Sequence, residues 1–535
     1  MLPLDNYEYE WLPHLKQSIP IEARHNRTSL YTIALEGWRR GLKLSFHNVY
    51  DENNKILLKY SLKSDKRVHY FDESSGDKNT NEAFKICGDK SLTNKYLKKA
   101  NVPIPNDKKF DIDTSIEEII THVQELNFPL VVKPTDESSG RGVITNIKNQ
   151  QELEESLTIL RKQYNYKNII IQEHVHGDEI RIYVLKDKVI AATNRLPANV
   201  IGDGKHTIAQ LIDFKNEARK NVPHLHFRPI IVDRTLRRIV EEQGFTLESV
   251  LSKGKRLFVR EISNISTGGD PIDVTDQLTN EQKQIAIDAT KAIPGLTHCG
   301  VDMIIPKNSN GGVIIEVNTR PGIGSHLFPI RGKARDIPKA VIDYYFPETK
   351  NNKRNDNVYF DLQAVFDSVN DGYAMEVELQ PCPQNQMHTF KWIVTSKLDV
   401  MNVYYYLRKL LIKNKCHGHF KSIAENKIEI VLCHENPDTI NDVKTYIKNR
   451  TSQLQIEQLT EEDYDKPIKL GFRVFNGLNQ MSQAELERQC YENKKQVRQH
   501  ELSVQRLNRR IKLMEKSSSW RITKPLRAVM DIIKR

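Results

Sequence analysis

The stretch CGVDMIIPKNSNGGVIIEVNTRPGIGSH, residues 299–326, decides the fold. It holds two apolar, β-branched strands, CGVDMIIP and GVIIEVN, and each carries a carboxylate where a buried strand would carry none: Asp302 in the first and Glu316 in the second. Asn318, two residues beyond Glu316, shares its face because strand side chains alternate. Two carboxylates and an amide on apolar strands are costly unless something compensates them. Divalent cations do so, and salt bridges to nearby arginines are the structural alternative.

Outward from that pair, the chain from Ile86 to about Pro347 alternates short strands (PLVVKP, NIIIQEHV, VIAATNR) with charged helical stretches, an α/β signature. Residues 1–85 read as a small α/β lead-in domain ending in the polar loop DESSGDKNTNE, and residues 86–348 as the main domain. KNNKRNDN, at 350–357, reads as a linker. Residues 358–455 predict a second, α+β unit, with strands near 373–379, 389–396 and 427–433 and the helices VMNVYYYLRKLLIKN and DTINDVKTYIKN. Residues 480–515 turn helical, with Cys490, Val497, Val504 and Ile511 seven apart, a short coiled-coil pattern that would pair two copies through 486–514. Residues 516–535 form a basic amphipathic tail with Pro525 at a helix start and Leu526, Met530 and Ile533 on one face.

Composition excludes several classes. Over 535 residues, 38% hydrophobic and 28% charged is ordinary globular content, and no apolar run reaches the roughly 18 residues of a membrane span. The start MLPLDNYEYEW has acidic residues where a signal peptide has basic ones, which predicts a cytoplasmic location. Six scattered cysteines without zinc spacing predict reduced thiols. Of the net +11, residues 501–535 supply +7, so the charge surplus belongs to the tail, where it suits an anionic inner-membrane face better than nucleic acid.

Phosphate chemistry needs cations, backbone donors and carboxylates that hold its magnesium. Lys90 and Lys133 are placed to reach phosphates, and TDESSGRGV supplies Gly140 and Gly142 for a covering loop. In IIIQEHVHGDEIRIYVL, Gln172, Glu173 and Val175 would face an adenine edge and Glu179 ribose hydroxyls; the alternative for each is a solvated strand-end residue. His224 and His226, in PHLHF, have no third ligand nearby and read as loop or strand residues rather than a metal site.

These residues resemble the ATP-grasp family, in the form found in cyanophycin synthetase and in the bifunctional glutamate–cysteine ligase/glutathione synthetase. NRLPANVIGDGKHTIAQLI at 194–212 and GFTLESVLSKGKRLFVREISNISTGGDPIDVTD at 244–276 are similar to two long blocks of that family. The resemblance implies a carboxylate–amine ligase: ATP phosphorylates a carboxylate, and an amine, as of an amino acid, displaces phosphate to leave an amide, here in cell-envelope or polymer synthesis. It implies that Lys90 and Lys133 bind ATP phosphates, that Gln172, Glu173, Val175 and Glu179 hold the nucleoside, and that Asp302, Glu316 and Asn318 hold two Mg2+ ions, with Mn2+ as a substitute. It further implies Arg260 and Arg320 at the transferred phosphoryl group, Arg195 on a substrate carboxylate, and Ser325 and His326 near the substrate. Neither relative's product is implied, since no GxxxxGK[ST] loop is present and 85 residues are too few for a glutamate–cysteine ligase domain.

Residues 389–450 resemble acylphosphatase, with GHFKSIAENKIEIV echoing its strand segments. Tyr404 stands at the position of the family's catalytic Arg and Ser422 at that of its Asn, and SKLDVMN lacks the loop glycines, so a non-catalytic scaffold is expected. Two other readings remain open: a non-catalytic nucleotide-binding assembly protein, and acyl-phosphate hydrolysis by residues 358–455.

Overall fold

Alternation along one strand builds the central sheet. In Asp178–Leu185, Ile180, Ile182 and Val184 turn to one side, and Glu179, Arg181 and Tyr183 to the other. The structure is a computed structural model, and it describes residues 9–50, 56–135, 142–164, 166, 168–307, 309–370 and 374–475. Gly140, Cys490, the expected helical arm and the basic tail lie outside the described residues. Among the described residues, no helix is long and apolar enough to cross a membrane.

The central sheet is antiparallel, in the order Asp270–Asp273, Lys188–Leu196, Asp178–Leu185, His298–Ile305, Val313–Asn318. Its apolar face packs Ile182, Val184, Ala192, Val301, Met303 and Val317 with Ala286 and Ala289 of the helix Asn280–Lys291. A β-bulge sets the phase of the last strand. Asp302 pairs with Glu316, but Met303 pairs with Ile314, so Ile315 is the extra residue. Without it, Ile314 would share the face of Glu316. With it, Ile314 is buried in the core while Asp302 and Glu316 stay together on the polar face.

A four-stranded sheet follows the order Asp107–Phe110, Ile169–Glu173, Leu130–Pro134, Ile144–Ile147. Leu130, Val132, Ile169 and Ile171 pack on Ile119 and Val123 and on Leu153 and Leu157, from the helical segments to either side. The opposite face carries Val131, Lys133, Ile170 and Gln172, paired across the sheet as Val131 with Gln172 and Lys133 with Ile170. Between these sheets in sequence, the hairpin of Asn199–Ile201 with Arg256–Phe258 and the helices Ile208–Lys220 and Arg234–Glu242 enclose a core of their own around Ile208, Leu211, Leu236 and Val240.

The lead-in residues form a sheet of Lys43–Tyr50, Ile56–Lys63, Val68–Asp72 and Ser75–Gly76, backed by the helix Thr28–Arg39. The strand expected near 373–379 runs from Glu376 to Glu378, and it pairs with Lys43–Tyr50 instead of joining the second unit. The pairing follows packing: Trp38 and Phe46 form one core with Phe360, Val365 and Val369, far along the chain. Residues 388–462 then run strand, helix, strand, strand, helix, strand, with the strands ordered Ile456–Glu462, His388–Ser396, Lys427–His434, His417–Ala424.

Residues 350–357, which read as a linker, are instead a tied strap. Arg354 Nη1 lies 2.9 Å from Glu36 and Arg354 Nε lies 2.6 Å from Asp356. Asn352 Nδ2 donates to the Arg40 carbonyl at 3.0 Å. Arg39, fully buried, donates to the carbonyl oxygens of His14 (2.7 Å), Val358 (2.8 Å) and Asp356 (3.0 Å) and to Ser18 Oγ (2.9 Å). Burial lowers its affinity for the proton, and four acceptors offset that cost. Arg39→Met leaves those acceptors unpaired and should lower unfolding free energy by on the order of 3 kcal/mol. Urea denaturation checks this, with trypsin cleavage at Lys353 and Arg354 rising in parallel; unchanged stability and cleavage would mean that the strap does not depend on Arg39.

Candidate functional site

Asp302 is the centre of the polar face. It is 6% exposed, and Arg181, its neighbour in register, donates Nε to Oδ1 at 2.7 Å and Nη2 to Oδ2 at 2.5 Å. Arg195 Nη2 adds a third bond at 2.5 Å, and Asn318 Nδ2 approaches Oδ2 at 3.4 Å. Burial pushes the carboxyl up, and the two guanidiniums more than reverse this, holding it at about 2. Asp302 is therefore an anion at any neutral pH.

Glu179 lies on the same face, 3.3 Å from Arg195 Nη1. Its carboxyl is raised first by burial, against the pull of Arg195. Glu316, opposite Asp302, lies 3.9 Å from Lys90 Nζ, at the start of the helix Lys90–Lys99. Lys133 comes to the same place from the four-stranded sheet. Buried to 5% exposure, its ammonium is lowered to about 8, first by desolvation, with Glu316 opposing and Lys90 reinforcing. Two lysines and three carboxylates thus meet where the two sheets approach. The carboxylates and the Asn318 amide are the oxygen donors that hard cations take, and the lysines suit phosphate oxygens.

Other expected residues have other partners. The Glu173 carboxylate accepts from Asn127 N (3.0 Å), Asn127 Nδ2 (2.8 Å) and Asn106 Nδ2 (2.8 Å), which hold it in the charged form and fix two loops. Gln172 is buried beside Val131, and Val175 is half-buried just past the strand. Arg260 forms a two-pronged pair with Asp233, both distances 2.9 Å, and donates to the Ile231 carbonyl at 2.8 Å. Arg320, 45% exposed, pairs with Asp72 at 2.9 Å and lies 4.5 Å over the Phe84 ring. Ser325 is buried, and His326 is buried with Nδ1 2.7 Å from Thr193 Oγ1; burial, then Arg181 and Arg195, lowers it to about 3, so the ring is neutral. At Gly142, φ is 68° and a Cβ would stand 2.7 Å from the Tyr166 ring, so the position requires glycine.

Arg181 was missed by sequence reasoning although its signal is present: two residues after Glu179 on an alternating strand, it must share that face. A pocket of about 480 Å³ lined by Thr145, Asn146, Lys148, Glu152, His174, His176 and Glu261 was also missed. It assembles residues more than a hundred apart in sequence, which no local pattern marks.

The penalty on Lys133 gives a test. Its lowered affinity for the proton means that charging it in the folded state costs stability. The cost is full below about pH 8 and vanishes as pH rises to the ordinary lysine value of 10.5, where the unfolded chain also loses the proton. Lys133→Met should therefore stabilise the protein without ligands by on the order of 2–3 kcal/mol at pH 7, narrowing toward pH 10.5. Thermal melts across that range check it; a variant less stable at pH 7 would show that Lys133 is compensated in the fold.

Comparison with known proteins bears on this arrangement. Residues 87–204 and 260–331 match the family described as RimK-like ATP-grasp domain, and both sheets fall within the match. Cyanophycin synthetase of Crocosphaera subtropica is 35% identical over 272 residues, 50% of this chain and 31% of that protein. The glutathione biosynthesis bifunctional protein GshAB of Pasteurella multocida is 32% identical over 316 residues, 56% of this chain and 40% of that protein. A crystal structure of a bifunctional glutathione synthetase from Pasteurella multocida is 30% identical, with a TM-score of 0.44, covering 57% of this chain and 41% of that one. The chain spans less than half the length of these relatives. The segments that match the RimK-like ATP-grasp family carry Lys90, Lys133, Asp302, Glu316 and Asn318.

Proposed function

We propose that this chain is an ATP- and magnesium-dependent ligase that joins a carboxylate to an amine. The observation that carries the reading is the meeting of Lys90 and Lys133 with Glu316, Asp302 and Asn318, all inside the segments that match the ATP-grasp family. ATP-grasp ligases use ATP and Mg2+ and form amide bonds.

In this reading the two lysines hold the ATP phosphates. Lys133, costly to keep charged when alone, holds its proton more firmly against a phosphate dianion, which offsets that cost. Asp302, Glu316 and Asn318 would hold magnesium. Among the described residues, no three His, Cys, Asp or Glu gather closely enough to cage a metal. Magnesium commonly keeps water and phosphate oxygens beside one or two carboxylates. When bound, the ion supplies charge neutralisation on the phosphoryl oxygens. Gln172 and Val175, with Gly140 and Gly142 in the covering loop, border the nucleotide. Glu173 contributes by holding its loop, and Glu179 reaches the ribose.

The substrate carboxylate attacks the γ-phosphorus, ADP leaves, and the amine then attacks the acyl carbon and expels phosphate. The protein's part is positioning and charge. Arg195 is engaged by Asp302 and Glu179, so it orders the acidic cluster as well as any substrate. Arg260 and Arg320 reach a phosphoryl group only by releasing Asp233 and Asp72. Ser325 and His326 lie at the substrate end. The substrates are an amino acid and a second carboxylate or amine of a cell-envelope precursor or polymer, handled in the cytoplasm. A dimer through 486–514 and an anionic membrane surface for the tail complete the reading.

The acylphosphatase-like part is read as non-catalytic. The ring of Tyr404, at the position of the expected guanidinium, packs 5.6 Å from Phe420 and 6.4 Å from Phe472, centroid to centroid, and offers no anion anchor.

Two measurements test these readings. Substrate-dependent ADP release, screened over amino acids and envelope precursors, should fall about a hundredfold or more in Glu316→Ala; no turnover with any pair, or an unaffected variant, would overturn the ligase. The full-length protein should hydrolyse benzoyl phosphate at the background rate, and hydrolysis well above it that survives Glu316→Ala would make the second unit an enzyme.

A further inference from the structure

Residues 388–462 carry a helix whose outer face their own packing does not explain. In Val400–Lys413, the side chains of Val400, Val403, Leu407 and Leu411 are buried in one core with Phe420, Ile430 and Leu432. At about 3.6 residues per turn, the opposite side is centred on Tyr405 and Ile412, two turns apart, with Arg408 on one flank and Lys409 and Lys413 on the other. Tyr405 is 62% exposed and Ile412 57%, and Tyr406, which borders the same face, is 51% exposed. Single exposed apolar side chains are ordinary, whereas an aligned row framed by cations marks an interaction surface.

The charge on this face has one sign. Residues 400–415 hold Arg408, Lys409, Lys413 and Lys415 and no Asp or Glu. Asp399, just before them, turns both carboxylate oxygens to the start of its own helix, accepting from Asn402 N at 2.8 Å and Asn402 Nδ2 at 2.9 Å. None of the four cations has a carboxylate partner among the described residues. By contrast, Lys391 pairs with Glu429 at 3.2 Å and Glu462 at 2.9 Å, Lys397 with Glu457 at 3.3 Å, and Lys444 with Glu461. The last turn of a helix favours cations, which accounts for Lys413 but gives no reason for Tyr405 and Ile412 to face water. The helix therefore presents uncompensated positive charge beside exposed apolar side chains.

We propose that this face of Val400–Lys413 docks on an anionic membrane surface, with Tyr405 and Ile412 entering the headgroup layer and Arg408, Lys409 and Lys413 meeting lipid phosphates. A helix lying in the interface divides its side chains in this way, apolar ones inward and cations toward the headgroups. Tyrosine fits that depth because its ring is apolar and its hydroxyl keeps contact with water. Nucleic acid fits less well, since Ile412, on the outermost line, offers a base no ring to stack on. This contact is separate from the one proposed for residues 516–535, and it gives a role to a unit whose Tyr404 offers no anion anchor.

The test places an environment-sensitive fluorophore on Tyr406→Cys in the full-length protein, with wild type treated in the same way as background. The native cysteines among the described residues are buried or half-buried. The probes are vesicles of phosphatidylglycerol with phosphatidylcholine, vesicles of phosphatidylcholine alone, and a single-stranded oligonucleotide. Emission should shift to the blue on the anionic vesicles only and be quenched there by nitroxide-bearing lipid. Lys409→Glu with Lys413→Glu should raise the lipid concentration for half the signal by roughly tenfold or more, and Tyr405→Ser should raise it by a few-fold. Should the charge reversal fail to fold, Lys409→Gln with Lys413→Gln carries the comparison. The proposal is overturned if anionic vesicles leave the emission unchanged, if neutral vesicles act as strongly, if the oligonucleotide alone shifts it, or if the folded variants respond as their parent does. Vesicle binding through residues 516–535 alone would leave this probe unmoved, and so would overturn it as well.

Discussion

The buried carboxylate of Asp302, clasped by Arg181 and Arg195, is the interaction on which the site depends. A carboxylate so little exposed stays ionised only if cations replace water, and two guanidiniums do so from neighbouring strands. The clasp sets the relative register of three strands, because a one-residue slip would send Arg181 or Arg195 into the apolar core. It also settles the roles of the charges around it. Arg195 belongs to the acidic cluster, and Glu316 is left to face Lys90 and Lys133.

The bulge at Ile315 serves the same end. It lets one strand satisfy two phases, an apolar one at Ile314 and a polar one at Glu316 and Asn318, so a single β-hairpin closes a core on one side and presents oxygen donors on the other. On the opposing sheet, Lys133 sits between strands that are apolar on their far face, which leaves its ammonium partly desolvated and responsive to any nearby anion. Fold stability and readiness for a polyanion therefore pull against each other at this lysine.

Long-range packing holds the rest. Aromatic residues of the first helix and strands share a core with residues beyond 357, and Arg39 binds the strap between them through backbone carbonyls. Charged asparagine-rich sequence looks like a linker because local composition reports exposure of side chains. It does not report that their hydrogen bonds are already taken by a distant helix.

By itself the sequence determined the strands around Asp302 and Glu316, their shared face with Asn318, and the α/β and α+β character of the chain, since these rest on alternation and β-branched runs that are local properties. It also contained Arg181, which alternation from Glu179 places on the polar face. Only the tertiary structure decided who pairs with whom. That Arg195 is held by Asp302 and Glu179, that Arg320 pairs with Asp72, that Glu376–Glu378 joins the first sheet and that Arg228 meets the His224 ring all depend on which groups approach once the apolar faces are buried. Charges interact through space, and their distances are set by packing between segments that the sequence keeps far apart.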